Sequence, residues 1–113
     1  MDLLQIFFRY CQNLNKHSKI DYLLQNDIER VKEELKDTYF WFNALTEARQ
    51  DAMIDICFNL GLTRLRGFIK ALEAMSREQF DIAADEFLDS RWAEQVGNRA
   101  VRVTEMIRTG EYQ

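Results

Sequence analysis

Few residues in this 113-residue chain are of the types that do chemistry. Asp81 and Asp85 stand four apart, a spacing that sets two carboxylates side by side on a helix. Such a pair can divide acid and base work, but within the segment 76–90 it reads as a solvated face, as do Glu33 and Glu34. His17 is the one histidine. It sits in a polar break with no acid pair at ligand spacing, and one histidine builds no zinc site, so no metal is expected. Cys11 and Cys57 each lie inside an apolar helical pattern. Two thiols make no disulfide framework, and free buried thiols are the expectation. Arg99 follows Asn98 at the start of the last helical segment, where unpaired backbone N–H groups favour an anion. An ordinary exposed helix arginine is the competing reading. No motif calls for a cofactor.

The stretch that must position these groups is Ala48–Gly61, ARQDAMIDICFNLG. On a helix Asp51, Asp55 and Asn59 fall at i, i+4 and i+8 and form one narrow polar stripe. Apolar residues fill the rest of the circumference, so this helix is expected to be buried on several sides. Thr46 is the expected N-cap and Gly61 the stop. Residues 2–14 carry an apolar stripe through Leu3, Phe7 and Leu14 and read as an amphipathic helix, although Phe7-Phe8 could also begin a strand. Ser18 is placed to cap a helix whose inner face is Tyr22, Leu23, Leu24, Ile28, Val31 and Leu35. The run 37–43, DTYFWFN, has no period and is expected to be a loop pushing Tyr39, Phe40, Trp41 and Phe42 into the core. Beyond Gly61, Leu62, Leu65, Phe68, Ile69, Leu72 and Met75 share one face, with a break at Gly67. Ser76 is expected to cap the following helix, with Gln79 at the capping-box position. Ser90 to Val96 adds a short turn of helix. Asn98 is expected to cap the last helix, which Gly110 ends.

Composition agrees. The absence of proline, with four glycines, argues for an all-α chain. The expected fold is a compact bundle of about six or seven helices around a buried central helix. A single helical domain spans 1–113, with 1–17 an atypical N-terminal helix and turn. A net charge of −4 argues against general nucleic-acid binding. No segment is long enough to span a bilayer. Asp2 and the lack of a cleavage site argue against a signal peptide, so the chain is expected to be cytoplasmic as synthesised.

Ala48–Gly61, then GFIKAL at 67–72, then DSRWAEQVGNRAVRVTEMIRTGEY at 89–112, resemble the phage-type lysozyme family, the muramidases. LQNDIERVKEEL at 24–35 is similar to the segment leading into that family's helical lobe. The resemblance covers about 20–113 and implies a phage or prophage origin. It also implies the helical lobe of a two-lobed enzyme that cleaves the muramic acid–glucosamine link of peptidoglycan. In that family a β-rich lobe and the helix leading into it supply a Glu general acid, an Asp and a Thr.

The departure from this pattern lies upstream. Residues 1–22 hold no glycine and only two acids, Asp2 and Asp21, so glycine-rich hairpins are not expected there. Aligned on the first helix, Tyr10, Cys11 or Gln12 would stand where the resemblance calls for the Glu. Without a proton donor beside the leaving oxygen this style of glycoside hydrolysis stops, and no catalytic residue is assigned. What the resemblance leaves is the far wall of a sugar groove: Phe58, Asn59 and Leu60, with Asn59 where the family often has glutamine, and Arg99. Arg99 resembles the arginine that pairs with the catalytic glutamate, and here it is expected to be solvated or re-paired with another acid. Arg91 and Trp92 resemble a structural pair, with Trp92 read as core or as a sugar platform. The expected function is a lysozyme homologue that is inactive alone and binds peptidoglycan glycan weakly. The alternatives are a helical protein-interaction module, or part of an active muramidase completed by a portion encoded elsewhere. The apolar Leu3, Leu4, Phe7 and Phe8 are expected to cover the chain's own lobe, giving a monomer, or to pair with a second chain as a homodimer.

Overall fold

The computed structural model describes residues 19–113, with side chains from Gln25 onward. The expectations placed on residues 1–18, among them His17, Cys11, the Ser18 cap and the apolar Leu3–Phe8 stretch, lie outside the described residues. So do the side chains of Tyr22, Leu23 and Leu24.

Seven helices and no strand are present among the described residues. They are α1 (Lys19–Thr38), α2 (Glu47–Leu60), α3 (Leu62–Leu65), α4 (Ile69–Ser76), α5 (Phe80–Leu88), α6 (Arg91–Val96) and α7 (Asn98–Thr109), with a 3-10 turn at Phe42–Ala44. The helix α2 is the hub. It packs against α1, α3 and α7, while α5 packs against α4 and α7. Its residues Ala48 and Asp51 to Cys57 are all buried, as a helix apolar over most of its girth requires. The helix α1 presents Ile28, Val31 and Leu35 to this core, the i, i+3, i+7 pattern of a one-sided helix.

The ends of α2 follow from local chemistry. The Thr46 hydroxyl accepts from Arg49 N at 3.3 Å, and Gly61 closes the helix at φ 83°. Thr46 Oγ1 also donates to Gly110 O at 3.0 Å. One turn on, Arg49 Nε donates to Ile107 O at 2.7 Å and Nη2 to Arg108 O at 3.1 Å, while its guanidinium lies 3.6 Å from the Phe80 ring centroid. The start of α2 therefore holds the last carbonyls of α7, groups that a helix cannot satisfy by itself. Gly110 has φ 76°, and a Cβ there would lie 2.8 Å from Arg49 Nη1. Gly110→Ala is expected to cost about 1–2 kcal/mol, from the left-handed backbone and from displacing that pinned guanidinium. Urea unfolding followed by circular dichroism measures the loss.

Four expectations are corrected. Phe40 is 88% exposed, while Trp41 and Phe42 are core. The 3-10 turn can point only part of the aromatic run inward. Ile69 is 71% exposed because α4 begins afresh there after the turn at Gly67. Ser76 does not cap α5. It ends α4, donating to Glu73 O at 2.6 Å, and Gln79 precedes α5 without a side-chain cap. Asn98 is the first residue of α7, and Gly97 takes the cap position.

Candidate functional site

The polar stripe of α2 splits in two along the helix. At its C-terminal end Asp55 is buried and Asn59 exposed. Asp55 Oδ1 receives Arg99 Nη2 at 2.5 Å and Asn59 Nδ2 at 2.9 Å. Asn59 Nδ2 also reaches the Asp55 carbonyl at 2.9 Å. The side chains of Arg99 and Asp55 are 21% and 5% exposed. Two sequence-predicted residues, Asn59 and Arg99, are thus brought together on a third, Asp55, which spacing had assigned only to the stripe. A carboxylate that receives a guanidinium and an amide on one oxygen acts as an acceptor, and charge-assisted bonds of this kind are the strong ones.

Asp51, one turn earlier, is buried against a different partner. It accepts from the Tyr112 hydroxyl. Burial is the main force that pushes its carboxyl up to about 6, against the Tyr112 hydrogen bond that favours the ion; Glu47 adds to the rise and Lys32 opposes it. Burial is also the main cause of the raised Tyr112 phenol, followed by its bond to Asp51. Sequence reasoning missed this contact. The only available signal was an acid on an otherwise apolar helix.

The other candidates fall where their surroundings put them. Phe58 and Leu60 are partly buried against the core. Trp92 is core at 4% exposure, and its indole N–H has no acceptor among the described residues. Arg91 is exposed. Cys57 is a free buried thiol pushed up to about 11, chiefly by burial, far from the thiolate form that reacts. Asp81 and Asp85 are 80% and 70% exposed and face Arg108 at 3.7 and 2.7 Å, a solvated ion cluster. No group of metal-ligating side chains occurs among the described residues, and no described helix is long and apolar enough to cross a membrane.

Among the described residues, open clefts flank the bundle. One of about 310 Å³ is lined by Phe68, Ile69, Lys70, Glu86 and Asp89. Another, of about 320 Å³, lies between Phe40, Trp41, Leu45, Met75 and Phe80. Neither is lined by Asn59 or Arg99. In a comparison with protein-family models, the model described as Phage lysozyme matches residues 10–108.

Proposed function

The chain belongs to the phage lysozyme family, and from that premise we propose that it is a lysozyme homologue that touches peptidoglycan glycan weakly and does not hydrolyse it alone. The wall of contact is Phe58, Asn59 and Leu60 at the end of α2, beside Arg99. The observation that carries this reading is the capture of Arg99 by Asp55 at 2.5 Å. The arginine expected to steady a catalytic acid is engaged with a carboxyl of the scaffold itself.

Neither buried acid of α2 meets the requirements of a general acid, which must hold a proton and reach the glycosidic oxygen. Asp55 is occupied by two donors on one oxygen. Asp51 has the raised affinity for a proton, but it is only 9% exposed and Tyr112 lies against it. Asn59 retains one way to meet a sugar. Its N–H2 is turned to Asp55, so its exposed side chain offers the amide oxygen as an acceptor for a hydroxyl. One such bond beside two half-buried apolar side chains supports binding in about the millimolar range. Family membership is also what supports a phage or prophage origin.

The test is a peptidoglycan-clearing assay on the purified chain, run with glycan co-sedimentation. No clearing is expected above that of an Asn59→Ala, Arg99→Ala double variant. Weak co-sedimentation is expected to fall with Asn59→Ala. Turnover clearly above the double variant would overturn the reading.

A further inference from the structure

We propose that Asp55 is a positioning residue for glycan contact. Pinned by Arg99, it holds the Asn59 amide with its oxygen outward. At this position the wall therefore takes a ligand group that donates a hydrogen bond, such as a sugar hydroxyl. The proposal rests on the glycan reading above and adds the polarity of the contact and the residue that sets it.

An asparagine side chain has two faces to offer, a carbonyl that accepts and an N–H2 that donates. On an open helix surface water serves either face. Asn59 is exposed, yet its Nδ2 donates to Asp55 Oδ1 and to the Asp55 carbonyl, each at 2.9 Å. Both acceptors belong to one residue, a turn earlier on α2. Turning the amide over would set its oxygen against the same two oxygens. Both hydrogen bonds would be lost, and acceptors would face only acceptors.

Neither acceptor is placed to move aside. The carbonyl is part of the helix backbone. The carboxyl side chain is 5% exposed, and its Oδ1 receives Arg99 Nη2 from α7 at 2.5 Å. A charge-assisted bond of this kind holds its acceptor more firmly than a neutral one. Constraint therefore runs from Arg99 through Asp55 to Asn59, and the amide oxygen is what reaches the surface. A sugar hydroxyl satisfies that oxygen. A ligand group that can only accept gains nothing from it.

The experiment is NMR on the full chain with nitrogen-labelled side-chain amides. The Asn59 signals are assigned by their loss in Asn59→Ala. Without ligand, both Asn59 amide protons are expected to exchange slowly with water in the parent. In Asp55→Ala, which removes Oδ1 and leaves the carbonyl, at least one is expected to exchange as an ordinary exposed amide does. In Asp55→Asn, which keeps an oxygen for both donors, slow exchange is expected to persist. The chain is then titrated with N-acetylchitotriose and with the same trimer methylated at every hydroxyl and amide nitrogen. The parent and Asp55→Asn are expected to favour the free trimer by about fivefold or more. In Asp55→Ala, where the amide can turn to suit either ligand, the preference is expected to fall below about twofold. Fast exchange of the Asn59 protons in the parent would overturn the proposal. So would a preference that Asp55→Ala leaves unchanged, because shape rather than amide polarity would then set it. If the parent binds neither trimer, the glycan reading fails and takes the ligand half of the proposal with it. The amide signals, read without ligand, still decide whether Asp55 positions Asn59.

Discussion

Replacing Arg99 by alanine is expected to destabilise the fold by about 3 kcal/mol or more. The change leaves the Asp55 carboxyl, 5% exposed, without the guanidinium that meets it at 2.5 Å. The cost comes from removing a charge-assisted bond to a buried carboxyl, which keeps the Asn59 amide at 2.9 Å as a donor. Asp55→Ala is expected to cost less, because the Arg99 side chain is one-fifth exposed and its head can turn to water. A double-mutant cycle of Arg99→Ala with Asp55→Ala, read by urea unfolding, separates the pair from the single losses. If Arg99→Ala instead falls within about 0.5 kcal/mol of the parent, the arginine is an ordinary surface residue. The reading of a captured cation then fails with it.

The second large effect sits in the aromatic run. Phe42 is fully buried and Phe40 is 88% exposed, two residues apart in sequence. Phe42→Ala is expected to cost about 3–5 kcal/mol, the transfer of a ring plus the cavity it leaves. Phe40→Ala is expected to stay within about 0.5 kcal/mol. Unfolding midpoints of the two variants, measured side by side, check the contrast. Equal losses would mean that the turn at Phe42–Ala44 is packed differently.

That contrast marks where the sequence stops being informative. Ala48–Gly61 could be read as a buried hub because apolar residues fill all of its circumference but one narrow stripe. Thr46, Gly61 and Gly110 could be read as boundaries because a cap hydroxyl or a positive φ is a local requirement. Ser90, read as part of a short helical turn, instead caps it, accepting from Ala93 N at 3.2 Å. A run of four aromatics carries no period, so nothing in it says which ring faces in. Ser76 and Asn98 have the right chemistry for caps, yet each has a competitor. The Ser76 hydroxyl closes back on Glu73 within its own helix, and Gly97 absorbs the change of direction before Asn98.

The site was legible to a similar depth. Spacing put Asp51, Asp55 and Asn59 on one face, and family resemblance drew attention to Arg99. Which acid would meet Arg99 depended on a contact 44 residues distant, set by how α7 lies on α2. The Tyr112 contact with Asp51 spans 61 residues and had no sequence pattern to announce it.

The tie between the opening of α2 and the carbonyls at 107–110 has a consequence for how the chain is made. Thr46 and Arg49 leave the ribosome some sixty residues before the atoms they hold, Gly110 O being 64 positions later than Thr46. During synthesis the central helix can form and bury itself against α1, but its first turn stays unfastened until residues 107–110 have emerged. Completion of the core is thus deferred until residues 107–110 have been made, and a nascent chain stalled before them would expose this helix to chaperones and proteases.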